Sequence, residues 1–191
     1  LYGSIVSICE IGTISNLNSV ITSHKKELEV LSLNRIIKNG KNIQQHFFFD
    51  DEDGRASFNH FLGSFNRNHW QIEDYQTYIL IKSISGNKIE IFANKPSSEY
   101  AGQNVIKDIF MSQNRCPDIV VHRGHSYFAD AAIESLTPSA EIVFLVSCGG
   151  YNVISQVLKY SPNAQIISSK QIGTLLVNDR LCYALNETIR K

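Results

Sequence analysis

The fold is decided by two stretches, Ile119-Val120-Val121-His122-Arg123-Gly124-His125 and Ile142-Val143-Phe144-Leu145-Val146-Ser147-Cys148-Gly149-Gly150. Each opens with a short apolar run of the kind that forms a buried strand, and each ends in polar residues and glycine. The residues between them, from Ala129 to Leu136, have the pattern of a helix. A strand, a helix and a second strand in this order predict a βαβ unit with two parallel strands.

The same alternation continues on both sides of this unit. Upstream, Phe47-Phe48-Phe49 has the character of a strand that runs into an acidic loop, and two β-type runs, Tyr78–Ile81 and Ile89–Phe92, flank the turn residues Ser85-Gly86-Asn87. Further segments are predicted as helices over 57–65, 105–110, 151–160 and 179–189 and as a strand over 166–167. The pattern predicts an α/β fold with a mostly parallel sheet, helices on both faces and a β-hairpin at one edge.

Residues 1–45 have a different pattern. Apolar residues recur at helical spacing from Ile5 to Leu17, and a second apolar pattern runs from Leu28 to Ile37. We expect a helical N-terminal extension or the end of a preceding domain here, followed by an α/β domain over residues 46–191. The chain opens at Leu1 without a methionine or a signal-like start. Other domains of a longer chain are therefore expected, and the sequence gives no indication of localisation.

Composition excludes several classes of protein. The 191 residues include 18 basic and 18 acidic side chains, so the net charge of zero argues against a nucleic-acid partner. No apolar run approaches the roughly 18 residues that a membrane span needs. The cysteines are too sparse for a disulfide scaffold and form no C-x-x-C pair. They are Cys9, Cys116, Cys148 and Cys182.

Chemistry-bearing residues follow the two decisive strands. In an open α/β sheet, ligands bind beyond the carboxyl ends of the strands. Because sequential βαβ strands are usually neighbours, His125 and Cys148 are expected side by side at this edge. A thiolate is the reactive form of cysteine, and an adjacent imidazole can accept its proton and later protonate a leaving amine. Gly149-Gly150 would bring backbone N–H groups close to a developing oxyanion.

Other interpretations of these residues remain open. Cys148 could be an inert core residue at the end of an apolar strand. His122, His125 and Cys148 could form a zinc site, although H-x-x-H with one distant cysteine is a weak pattern. The acidic loop 50–54 lacks the further ligands of a calcium site, so a solvated turn is the first interpretation and substrate contact the second. The other three cysteines are interpreted as packing residues, and no cofactor or metal is expected.

Gly124-His125 and Ser147-Cys148-Gly149-Gly150 resemble the paired motifs of the clan CD cysteine peptidases, which include caspases, legumain, gingipains, clostripain and separase. The stretches 121–127 and 147–152 are also similar to uncharacterised bacterial caspase-like proteins, as are the segments 51–57 and 168–173. The resemblance covers about residues 46–190. It implies a caspase-like three-layer sandwich and a peptide or protein substrate.

The resemblance also implies roles for individual residues. Cys148 would attack a peptide carbonyl and His125 would act as general acid and base, while backbone groups around the two would form the oxyanion hole. These are the N–H of Cys148 and one near His125, and the backbone residues implied around them are Gly124, Ser126 and Gly149. Ser147 and the acidic loop would contact substrate, and a basic residue before the scissile bond would be preferred if one of its carboxylates lines the pocket. The three carboxylates are Asp50, Asp51 and Asp53.

Two alternatives to a peptidase remain open, and a departure from the family pattern supports the first of them. Clan members usually have glycine after the histidine, and this chain has Ser126, whose side chain could narrow the oxyanion site. The first alternative is a catalytically inactive caspase-like module that binds a partner within a larger protein. The second is a metal-dependent hydrolase that uses His122, His125 and Cys148.

Overall fold

A computed structural model of the chain describes residues 31–170 and 173–191. The helical pattern from Ile5 to Leu17, and Cys9, lie outside the described residues. The chain divides into two units, and the second, Leu33–Lys191, contains the elements that follow. Its short first helix, α1 (Leu33–Ile36), precedes the first strand, β1 (Lys41–Phe48).

A seven-stranded sheet has the order β2-β3-β4-β1-β5-β6-β7. Parallel pairing joins β1 to β4 and β5, β5 to β6, and β6 to β7, while β2, β3 and β4 pair antiparallel. The remaining strands are β2 (Trp70–Asp74), β3 (Tyr78–Ser83), β4 (Lys88–Asn94), β5 (Ile119–Arg123), β6 (Ile142–Val146) and β7 (Gln165–Ser168). The helices are α2 (Glu52–Gly63), α3 (Glu99–Ser112), α4 (Ala129–Glu134), α5 (Ile154–Tyr160) and α6 (Leu175–Arg190). The predicted α/β class and mostly parallel sheet are confirmed.

The predicted hairpin is present, and a third antiparallel strand pairs with it. β3 and β4 form the expected antiparallel pair, and β2 pairs with the outer side of β3. The sequence prediction missed β2, of whose five residues only Trp70 is buried. Trp70-Gln71-Ile72-Glu73 alternates apolar and polar residues, so a strand signal of four residues is present in the sequence.

Helices cover both faces of the sheet. On one face, apolar residues of β1, β5 and β6 pack against α4 and α5, and residues of β3 and β4 pack against α3. On the other face, α2 lies over β1 through edge-on and tilted aromatic contacts of Phe48 with Phe58 and Phe61. α6 lies beside α2 on this second face, where it contacts polar residues of the sheet.

A row of buried polar side chains runs along β1 beneath α6. The Gln44 Nε2 group donates to Asn42 Oδ1 at 2.8 Å and to Asn186 Oδ1 at 3.0 Å, and His46 Nε2 lies 3.0 Å from Gln44 Oε1. Burial, with the positive charge of Arg123, lowers the pKa of His46 to about 3. The boundary predicted between residues 45 and 46 falls inside β1, because this polar composition conceals the strand.

The start of α2 depends on two close contacts. Asp51 caps the helix by accepting a hydrogen bond from the Gly54 N–H at 2.6 Å. Gly54 has no room for a side chain, since an added Cβ would lie 2.1 Å from the Phe49 carbonyl oxygen. The helix therefore begins before Ser57, where the apolar pattern alone placed its start.

Gly54→Ala is expected to destabilise the protein by about 1–3 kcal/mol, because the new methyl group forces the backbone at Phe49 to move. Gly63 is the matched control on the same helix, since nothing lies within 4 Å of a Cβ added there. Gly63→Ala should stabilise the helix by up to about 0.5–1 kcal/mol. Urea unfolding measures both values, and equal effects of the two substitutions would contradict this account of the helix start.

Candidate active site

The strand register places the two predicted catalytic residues at equivalent positions. Arg123 is paired with Val146 across β5 and β6, and with Phe48 across β5 and β1. His125 and Cys148 each follow their strand by the same two residues. The strand order reverses at β1, which lies between β4 and β5, so this edge is also a topological switch point where ligands commonly bind.

A small pocket of about 100 Å³ opens at this edge, and we call it the strand-end pocket. It brings together five of the predicted site residues: Asp53, Gly124, His125, Ser147 and Cys148. α2 lines one side with Ala56 and Ser57, and Gly173 and Asn178 line another. Four separate parts of the chain thus meet in a pocket that contains one thiol and one imidazole.

His125 is held by contacts on three sides. Its Nε2 atom lies 3.6 Å from Asp53 Oδ2, and its ring stacks on that of Tyr127 at 5.1 Å between centroids. Its carbonyl oxygen accepts a hydrogen bond from His122 Nε2 at 3.0 Å. The His125 side chain is 41% exposed and that of Asp53 is 72% exposed, so both are accessible to solvent and to a ligand.

Cys148 is an exposed free thiol in a tight turn after β6. Gly149 adopts the left-handed conformation (φ 65°, ψ 24°) that lets the chain turn here. In the part of the chain that the structure describes, the backbone N–H groups of Cys148 and Gly149 donate no hydrogen bond. An added Cβ at Gly150 would lie 2.9 Å from Leu145 Cβ, so this second glycine is required by packing.

Of the other residues predicted to contact substrate or to form the oxyanion hole, some line the pocket and others have different roles. Ser147 is buried, and its hydroxyl oxygen has no hydrogen-bond partner. Asp51 caps α2, and Asp50 forms an exposed ion pair with Arg55 at 2.7 Å, so neither carboxylate lines the pocket. Ser126 is exposed at the start of a short 3-10 turn and does not line the pocket either. Asp53 is thus the carboxylate of the acidic loop that the fold brings to His125.

The His122 side chain is buried and supports the loop that carries His125. Burial lowers the pKa of its ring to about 4, so the ring is neutral near pH 7 and donates from Nε2 to the His125 carbonyl. The Nδ1 atom is buried and has no hydrogen-bond partner. Within residues 31–170 and 173–191, no three His, Cys, Asp or Glu side chains come close enough to hold a metal ion. The zinc arrangement of His122, His125 and Cys148 therefore has no geometric support.

Sequence reasoning missed a buried ion pair beneath the pocket. Arg123 lines the pocket although its side chain is only 1% exposed, and its Nη2 group donates to Asp179 Oδ1 on α6. The Arg123 Nη1 group lies 3.6 Å from Cys182 Sγ, and the guanidinium carbon lies 5.7 Å from the centre of the Phe48 ring. An arginine inside an apolar strand is the signal that could have revealed this pair, because a buried charge requires a partner.

The cysteines outside the pocket differ from each other. Cys182 is a packing residue, as predicted, and burial raises the pKa of its thiol to about 11. Cys116 was predicted to pack in the core, but it is exposed. It lies two residues before Asp118, which is hydrogen-bonded at the amino-terminal side of the sheet. Cys116 is therefore a natural reference thiol for measurements on Cys148.

No protein-family model matches the chain, and no curated protein matches it. Among the helices that the structure describes, none combines the length and apolar character needed to cross a bilayer. The chemistry of the strand-end pocket is therefore the basis for a functional proposal.

Proposed function

We propose that this protein is a cysteine endopeptidase, or a related acyl-transfer hydrolase, on a caspase-like α/β fold. Cys148 is the nucleophile and His125 the general acid and base. The observation that carries the proposal is the position of these residues, which follow neighbouring parallel strands by the same interval and line one pocket. An exposed thiol beside an accessible imidazole is the arrangement that acyl transfer requires.

The proposed reaction has two steps. His125 takes the Cys148 thiol proton, the sulfur attacks the scissile carbonyl carbon, and a C–S bond forms. The C–N bond then breaks as the His125 imidazolium gives that proton to the leaving amine, which leaves a thioester. In the second step a water molecule loses a proton to His125 and attacks the thioester. The C–S bond breaks, the peptide acid leaves, and the His125 imidazolium returns its proton to the sulfur, which restores the thiol.

Backbone donors near the thiol support the same chemistry. The N–H groups of Cys148 and Gly149 make no hydrogen bond in the described part of the chain, so they remain available to the oxyanion of a tetrahedral intermediate. Both groups lie in the tight turn at Gly149 that directly follows β6. Such donors typically contribute about 10²–10³ in rate, because they stabilise charge that develops only in the transition state.

Asp53 has two proposed roles. It orients the His125 ring through the 3.6 Å contact with Nε2, and it supplies negative charge to the pocket. Arg123 is already neutralised by Asp179, so the Asp53 charge favours a substrate with a basic residue before the scissile bond. The side chain of Asp53 is largely exposed, and its preference for a cation is therefore modest.

One observation favours a second candidate, a catalytically inactive caspase-like binding module. Among the hydrogen bonds of the described residues, none joins the Cys148 thiol to the His125 ring. Ser126 also stands where the related peptidases usually have glycine. A module of this kind would bind a peptide in the same pocket without forming a thioester.

Labelling with peptidyl acyloxymethyl ketones distinguishes the two candidates. We expect a lysyl ketone to add its mass to Cys148, and its neutral norleucyl counterpart to react up to about fivefold more slowly, which corresponds to about 1 kcal/mol for an exposed ion pair. Asp53→Asn should remove this difference, and peptide mapping should show no modification at Cys116. Absence of labelling at Cys148 by both ketones would favour the inactive module.

A further inference from the structure

A second and larger depression lies beside the strand-end pocket. It has a volume of about 760 Å³ and lies between α2 and α6. α2 contributes Asn59, His60 and Gly63, its C-cap residue Ser64 also lines the groove, and α6 contributes Asp179, Arg180 and Tyr183. We call it the α2/α6 groove. We infer that this groove binds a part of the substrate chain some residues away from the scissile bond, and that it selects an apolar side chain at that position. This inference rests on the proposed function.

The groove and the pocket are successive sections of one cleft. The same face of α2 lines both, with Asp53, Ala56 and Ser57 in the pocket and His60 and Gly63 in the groove. These residues recur at the three- and four-residue intervals of a single helix face.

On the α6 side, Asn178 lines the pocket and the next residue, Asp179, lines the groove. Arg123 lines the pocket, and its ion-pair partner Asp179 lines the groove, so the two cavities are adjacent at this pair. A ligand that leaves the pocket along α2 therefore enters the groove.

The dimensions suit an extended peptide. From Ser57 to Gly63 the helix rises about 9 Å, at about 1.5 Å per residue. An extended chain advances about 3.3 Å per residue, so about three residues span this distance. The pocket itself, at about 100 Å³, has room for little more than one side chain and the reacting groups. The residue in the groove is thus about three positions from the scissile bond.

The surface of the groove indicates what it selects. Gly63 leaves open space, since nothing lies within 4 Å of a Cβ added there. The ring of Tyr183 is 49% exposed on the opposite wall, where it can cover an apolar side chain. Asp179 is neutralised by Arg123, and Arg180 adds a positive charge, so the groove does not favour a basic side chain. We expect a leucine- or phenylalanine-sized side chain to bind here.

Filling the groove tests the inference without touching the strand-end pocket. Wild type, Gly63→Leu and the matched control Gly63→Ala are each given a library of unstructured peptides, and cleavage sites are mapped by mass spectrometry. Wild type should prefer an apolar residue about three positions from the cleaved bond. Gly63→Leu should lower kcat/KM for those peptides about tenfold, the loss expected when an apolar subsite is blocked. Gly63→Ala, which adds one methyl group to the same wall, should lower kcat/KM less than Gly63→Leu does.

A short reagent separates this inference from the proposed function. A lysyl acyloxymethyl ketone occupies the pocket alone, so Gly63→Leu should label at the wild-type rate, which also shows that the variant is folded. Tyr183→Ala, on the opposite wall, should weaken the apolar preference. Cleavage that is unaffected by Gly63→Leu, or that shows no preference at this distance, overturns the groove assignment alone. A wild-type protein that neither cleaves peptides nor reacts with the ketone overturns both.

Discussion

Cys148→Ala is expected to lower kcat/KM for peptide hydrolysis at least about a thousandfold, because Cys148 is the one thiol among the described residues that line the strand-end pocket, and the covalent intermediate cannot form without it. The fold should be preserved, since Cys148 is exposed and alanine adds no atoms to the turn. The residual rate should be independent of thiol reagents. Hydrolysis of a fluorogenic peptide identified by the library experiment provides the measurement.

The chain contains a matched control for this substitution. Cys116 is also an exposed free cysteine, but it lies outside the strand-end pocket. Cys116→Ala should leave kcat/KM unchanged within about twofold, because surface substitutions away from special features have small effects. If both substitutions abolish activity, or if neither does, the thiol of Cys148 is not the nucleophile.

Arg123→Met is expected to cost about 3–5 kcal/mol of folding free energy, the usual result of removing one partner of a buried ion pair. The substitution leaves the Asp179 carboxylate beneath the pocket without its cation, and it removes the charge that lies over the Phe48 ring. Because Arg123 directly precedes Gly124-His125, activity should fall together with stability. Urea unfolding followed by circular dichroism measures the free-energy change.

Two further variants check the physical reason for this loss. Arg180→Met makes the same chemical change at an exposed position of α6 and should alter the free energy of unfolding by no more than about 0.5 kcal/mol. The double variant Arg123→Met/Asp179→Leu removes both charges and should recover much of the stability lost in the single variant. A single variant as stable as wild type would show that the pair does not contribute to the fold.

The sequence predicted those parts of the fold where local pattern and environment agree. β5 and β6 are buried on both faces, so they are continuous apolar runs, and the βαβ rule then places His125 beside Cys148. The end of β1, at Phe47-Phe48, was predicted as a strand, but the earlier part of β1 was missed because its residues are polar for tertiary reasons, and β2 was missed because its alternation is short. The side chains of Gln44 and His46 bond to each other beneath α6, and β2 lies at the edge of the sheet.

The sequence predicted only those parts of the site that local pattern determines. The acidic loop contains three residues of the same type, Asp50, Asp51 and Asp53, so the sequence does not distinguish their roles. The path of α2 decides that Asp51 caps the helix while Asp53 lies near His125. The pairing of Arg123 with Asp179 joins residues far apart in the chain, so no local pattern announces it. Long-range polar contacts are the part of the site that requires the structure.

The central claim is that Cys148 and His125 act as one unit, and the rate of alkylation at Cys148 by the lysyl ketone tests it most directly. His125→Ala should lower this rate at least about a hundredfold, because general base catalysis typically contributes about 10²–10⁴. Reaction of Cys116 with iodoacetamide in the same molecule, which serves as the internal reference, should not change. Equal rates of Cys148 alkylation in wild type and His125→Ala would contradict the account.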